Sequence, residues 1–235
     1  MFSKKCLFYY QFIFILIASV YITKFAIAEE YYIPEEIFVT ATRINTPSKK
    51  IGSPISIIDS IEIDKMQFTD LSEALSQVPG LNRVSIGNMG HQTSIFIRGT
   101  NSNHSLILID GIEMGDPSAS SGAFDYGNVF LGMIDRLEVL RGSQASTYGS
   151  EAIGGVVNII TPVPSANYFT YKMSLGTNSS HRENLEISRV FQRIKFISSL
   201  SFNASDGDSI TSSRFRGAGT FDEKDSFENV SGSLR

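Results

Sequence analysis

The part of the chain that most restricts its fold lies after Thr161. Tyr168 to Gly176, Arg182 to Val190, Ile194 to Ala204 and Asn229 to Leu234 read as successive strands, divided by polar loops rich in Gly, Ser and Asp. In Asn184-Leu185-Glu186-Ile187-Ser188 the alternation is clean, with Leu185 and Ile187 on one face; in Tyr168 to Leu175 it is imperfect. Alternating segments of about ten residues are the signature of transmembrane β-strands. In hydrocarbon every backbone donor and acceptor needs an internal partner, so such strands have to close into a barrel. The larger transmembrane barrels use about 22 strands of about 9–11 residues, on the order of 200 residues in strands alone. Only Ser165 to Arg235 remain for such a barrel. The expectation is a C-terminally truncated chain carrying the first antiparallel strands of an incomplete barrel.

The N-terminus reads as a signal peptide over residues 1–28. Lys4 and Lys5 form a basic start, Leu7 to Ile22 is mostly apolar, and Ala26-Ile27-Ala28 offers a small-x-small cleavage site. The alternative is an N-terminal anchor, for which the apolar run is short. Cys6, the single cysteine, leaves with the signal, so cysteine usage says nothing more of redox compartment. With 20 basic residues against 24 acidic ones, this is not the charge balance of a nucleic-acid binder.

Between these ends lies a small α+β unit, expected over residues 47–164. Asp59/Glu62 and Asp70/Glu73 are capping boxes that start two helices. Leu71, Ala74, Leu75 and Val78 follow the rhythm of one buried helical face, and Pro79-Gly80 ends it. Ile95-Phe96-Ile97 and Leu106 to Ile109 are continuous apolar runs, suited to strands buried on both faces, with Asp110-Gly111 as a turn. Ile134 to Thr161 reads as strand, glycine turn, short helical piece, double glycine, strand. Gly154-Gly155 implies either a closely approaching backbone or positive φ. Ahead of the unit, in an exposed segment over residues 29–46, Glu35 to Arg43 is extended and β-branched. It suits either a strand of the unit or strand addition to a partner's sheet edge.

Catalytic and cofactor motifs fail. His91, His104 and His181 show no zinc spacing, and neither a dinucleotide fingerprint, a Walker A sequence nor a nucleophile elbow occurs. The chain is not expected to be an enzyme.

Three stretches, IDRLEVLRGSQASTYGSEAIGGVVNIIT, SIFIRGTNSNHSLILIDG and LSEALSQVPGL, together resemble the plug domain of TonB-dependent outer-membrane receptors, most closely the group that takes up cobalamin (vitamin B12). The resemblance implies an α+β plug, a small mixed sheet with short helices, inside a barrel in the outer membrane. It implies that Ile37, Phe38, Val39, Thr40 and Ala41 are the TonB box, through which TonB and its inner-membrane complex pull. It implies that Arg98 and Arg141 face the barrel wall and pair with carboxylates there, rather than pointing into solvent. The loops Ser85 to Thr93 and Ile112 to Asn128 would be apices that touch the solute, offering Asn88, Met89, His91, Met114, Asp116, Ser118, Ser120 and Tyr126; the alternative is solvated turns. Asp206, Asp208, Asp222 and Asp225 lie where cobalamin receptors bind calcium, or form a solvated acidic loop. Neither apical loop contains arginine, which ranks cobalamin above anionic iron–siderophore complexes. A rival of another class is an exported plug-like binding module that transports nothing.

Overall fold

The computed structural model describes residues 38–39, 46–47, 52–115, 119, 122–208 and 224–235. The expected signal peptide lies outside them. Two short strands, β1 (Phe38–Val39) and β2 (Thr46–Pro47), pair antiparallel, Val39 opposite Thr46.

Strand β3 (Ile55–Asp59) runs straight into helix α1 (Ser60–Met66), whose start is capped by the Asp59 carboxylate accepting from the Glu62 amide at 2.8 Å. Helix α2 (Leu71–Ser76) follows after a short turn. Asp70 accepts from the Glu73 amide at 2.9 Å, while Glu73 reaches back to the Thr69 amide at 2.7 Å. The return leg of the capping box thus lands one residue earlier than the motif predicts. Leu71, Ala74 and Leu75 are completely buried and Val78 nearly so. That agrees with the periodicity of the sequence.

Strands β4 (Leu81–Ser85) and β5 (Thr93–Ile97) form a separate antiparallel pair. Here the expectation of a strand buried on both faces is corrected. Thr93, Ile95 and Ile97 are buried, but Ser94 and Phe96 between them are only half-buried. An apolar run of three residues does not distinguish a central strand from a hairpin with one buried face.

The main sheet is built from β6 (Ser105–Ile109), β7 (Ile112–Met114), β8 (Arg136–Arg141) and β9 (Gly155–Ile160), in the order β3-β8-β9-β6-β7. Only β6 and β9 run parallel. Ile107, Leu137, Val139, Val157 and Ile159 pack with the residues of α1 and α2 on one face. Leu106, Leu108, Leu140 and Val156 meet Tyr148, of the short helix α3 (Ala145–Tyr148), and Ala152 on the other. Both faces are covered, which is why β6 needs an unbroken apolar run. Asp110 and Gly111, at φ +49° and +83°, make the two-residue turn joining Ile109 to its partner Ile112. A Cβ on Gly155 would run into the Leu140 carbonyl oxygen, and one on Gly154 into Thr100. Close approach, not positive φ, is therefore what the double glycine serves.

After this α+β unit, β10 (Tyr168–Leu175), β11 (His181–Val190), β12 (Lys195–Ser205) and β13 (Phe227–Leu234) form an antiparallel meander in sequence order. All four lie within two residues of their predicted bounds. Pairing sets Lys172 beside Asn184, Asn184 beside Ser201 and Ser201 beside Ser231 on the face toward the α+β unit. Ser199, Ser201 and Asn203 are buried there and bonded to one another or to neighbouring strands. Phe169, Tyr171, Met173, Leu175, Leu200 and Val230 stand exposed on the other face. Apart from buried Ile197, the sheet is inside-out, polar where buried and apolar where exposed, the pattern of transmembrane β-strands. Among the described residues it stays open, with β10 and β13 as its edges.

Candidate functional site

The first apical loop, residues 85–93, is a tight reversal between β4 and β5. The Ile86 amide donates to the Gln92 carbonyl at 3.2 Å and the His91 amide to the Asn88 carbonyl at 3.2 Å. Its tip leans on the wall. The Asn88 side-chain amide donates to the Asp208 carbonyl at 2.8 Å. Gly90, at φ +81°, is covered by the ring of Phe227, which also meets Phe130 at 5.6 Å between centroids. Met89 borders two clefts between loop and wall, of about 140 and 280 Å³. The larger is also lined by Asn88, Asn178, Asp208, Asp225 and Phe227. The structure thus brings two sets of predicted residues, Asn88 and Met89 from the plug and Asp208 and Asp225 from the wall loop, to one cleft. His91 turns the other way. Its ring lies against Gly87 and its Nδ1 is buried without a partner.

The second loop divides. Asp116, Ser118 and Ser120 lie outside the described residues. Met114 ends β7 and packs, half-buried, against the core. Tyr126 is corrected outright: it is completely buried, so no solute can reach it in this state. Its ring stands edge-on to Phe124 at 5.1 Å, its hydroxyl faces the Ser105 carbonyl at 3.5 Å, and burial pushes its phenol well above the usual range. Asp125 beside it was not singled out from sequence, yet it ties the two loops together. Its Oδ1 accepts from the Thr93 amide at 2.9 Å and the Gly127 amide at 3.0 Å. A Cβ at Gly127 would strike the His91 carbonyl. The Asp-x-Gly spacing was the only signal for this clamp.

Asp206 is exposed, and its amide donates to the Asn178 carbonyl at 2.9 Å. Asp222 lies outside the described residues. Among the described residues no group of three or more acidic, histidine or cysteine side chains is arranged to hold a metal.

Arg98 and Arg141 do come together, but against the plug itself. Arg141 donates to the Pro79 carbonyl at 2.7 Å and to Ser56 Oγ at 3.1 Å, and its Nε is buried without a partner. Arg98, at φ +52°, lays its side chain beside Gly80 and Gly142. Such φ costs a non-glycine residue of order 1–3 kcal/mol. Neither arginine meets a wall carboxylate among the described residues. In the segment expected to be the TonB box, Phe38 and Val39 are held by β2, while Ile37, Thr40 and Ala41 lie outside the described residues. The other edge of β1 carries no strand among the described residues.

Against known proteins, residues 47–156 match the family model of the TonB-dependent Receptor Plug Domain. The Vitamin B12 transporter BtuB of Photobacterium profundum is 45% identical over 123 residues, covering 52% of this chain and 20% of that protein. The ferric yersiniabactin uptake receptor FyuA from Yersinia pestis superposes with TM-score 0.59 at 21% identity, over 77% of this chain and 28% of its own. FpvA of P. aeruginosa, bound to heterologous pyoverdines, gives 0.63 at 20% identity, over 75% and 23%. The last two establish the fold alone. The chain spans a fifth of the length of the curated relative.

Proposed function

Starting from residues 47–156 as the plug domain of a TonB-dependent receptor, we propose that the chain belongs to an outer-membrane receptor that takes up cobalamin, driven by TonB. The observation that carries the solute assignment is the 45% identity to a vitamin B12 transporter over 123 residues. The inside-out sheet supports an outer-membrane position, with its apolar face toward lipid. Nothing in such a solute is chemically changed, so the protein acts as a transporter and not as an enzyme.

The cleft bordered by Asn88, Met89, Asn178 and Phe227 suits a large solute rich in peripheral amides. It offers amide and carbonyl groups for many modest hydrogen bonds and apolar surface for cover. Force enters at β1, whose unpaired edge is available for strand addition by TonB. Arg98 and Arg141 then meet barrel strands other than β10–β13. Calcium at Asp208 and Asp225 would need further oxygen ligands from the solute, water or neighbouring loops.

Equilibrium binding of cyanocobalamin to the receptor, with and without calcium, tests this reading. Tight cobalamin binding is expected. Tight binding of a ferric siderophore with no affinity for cobalamin would overturn it and favour the solutes named for FyuA and FpvA.

A further inference from the structure

The charges that join plug and wall in this sector have the opposite polarity to the one the arginines of the plug would suggest. On the plug-facing side of the four strands, three cations among the described residues reach the plug: Lys172, Arg182 and Arg235. Lys172 Nζ meets Asp64 of α1 at 2.6 Å. Arg182 donates to the Phe68 carbonyl, in the turn between α1 and α2, at 3.4 Å, and is steadied by Asn203 at 2.9 Å. Asp70 and Glu73, at the start of α2, lie near enough to attract it. Arg235 reaches Asp110, in the β6–β7 turn, at 3.4 Å. The carboxylate on the same face of the wall, Glu186, accepts instead from Tyr168 at 2.7 Å and Ser199 at 3.3 Å, both within the wall.

We propose that α1 and the turn after it are the seating surface by which the plug keys onto β10 and β11, with carboxylates on the plug and cations on the wall fixing how the plug is rotated. Apolar packing does not do this along β10 and β11, which present serine, asparagine and charge; apolar contacts to the plug come instead from Ile197 of β12 and Phe227 of β13. A hydrophobic contact would tolerate sliding, whereas sorted charges penalise a plug turned by one strand: it would set Asp64 beside the wrong neighbours. The inference rests on the four strands being the wall around the plug, and not on the identity of the solute or the energising partner.

The test is hydrogen exchange of the amides of α1 in the full chain, comparing Asp64→Lys, Lys172→Asp and the double exchange. Each single change should raise exchange across α1 by about two- to five-fold, the range of one exposed ion pair. The double change should return it close to the starting rate. Raising salt should loosen α1 in the unmodified chain but not in Asp64→Asn, since exposed pairs are screened. Lys172→Arg should keep the protection. Single changes without effect, or a double variant no better than the singles, would overturn the proposal. If a single variant fails to fold, the salt series on the unmodified chain still decides. Loss of cobalamin binding alone would bear on the solute assignment and leave this inference untouched.

Discussion

Replacing Gly155 by alanine sets two opposed terms against each other, and the structure decides which wins. Alanine narrows the unfolded ensemble and by itself stabilises by about 0.4–1 kcal/mol. In the folded state the new methyl would lie well under 3.0 Å from the Leu140 carbonyl oxygen, a separation that real Cβ atoms do not show. It would also press on Ile97 at 3.2 Å. The carbonyl is backbone, held in the β8–β9 ladder where Arg141 faces Gly155, so it yields only by opening that pairing. Overpacking of this kind costs about 1–3 kcal/mol, occasionally more. The strand carrying it has every residue buried, so the clash cannot be relieved toward solvent. The net expectation is a loss of about 1–2 kcal/mol. The midpoint of thermal unfolding should then fall by roughly 4–16 °C, at about 4–8 °C per kcal/mol for a domain near this size. Thermal unfolding of the isolated plug, with Gly99→Ala as a control where only φ is unfavourable, measures it. An unchanged or raised midpoint would show that β8 and β9 are not in close approach and would refute the reasoning.

Four further outcomes follow from the same geometry. Leu75→Asp, which places a charge at a position with no exposure, should prevent the isolated plug from giving a cooperative unfolding transition; an unaltered transition would remove α2 from the core. Tyr126→Phe should leave solute affinity unchanged and cost no more than about 1 kcal/mol of stability, because its hydroxyl contact is long, at 3.5 Å; a clear loss of binding would restore the tyrosine to the solute site. Val39→Pro fixes φ and removes a backbone donor, so transport should stop while solute binding survives; transport at the normal rate would dissociate β1 from the partner. Tyr171→Arg, on the exposed apolar face of β10, should destabilise a membrane-inserted receptor by up to about 4 kcal/mol if the residue lies near the bilayer midplane; a neutral effect in lipid would argue that this face does not meet hydrocarbon.

What could be read in advance was whatever local pattern decides. Helix α2 was legible because four apolar residues repeat at helical spacing between a capping aspartate and Pro79-Gly80. The wall strands were legible because loops of polar residues bound them and side chains alternate in chemistry. Tyr126 was misjudged because its neighbours in sequence, Gly, Ser and Asp, are those of a solvated loop; its burial comes from Phe124 and β6, and sequence spacing does not reveal such packing. Ile95 was assigned to the wrong kind of strand because its partner, β4, carries polar residues that hide the hairpin. Lys172 and Arg182 passed unnoticed for a different reason. Their meaning depends on which face of each strand turns inward and which plug residue stands opposite, and both follow from tertiary register. Asp125 lay between these cases, since an Asp-x-Gly turn was visible but its second anchor at Thr93 was not.

The polar inner face of the wall sets the work needed to move the plug. Most protein layers adhere because separating them exposes hydrocarbon to water. Between this plug and β11 or β12 the surfaces that would part carry mainly serine, asparagine and bonded ions beside Ile197, and water replaces such partners at a net cost of about 0.5–1.5 kcal/mol per neutral hydrogen bond and about 1.5–3 kcal/mol for one to a charged group. The plug can therefore keep a firm apolar interior while its outer skin detaches from the wall at modest cost, as water fills the space it leaves. Cohesion resides within each layer and is low at the seam between them, so a pulling force would part the seam before it broke either layer.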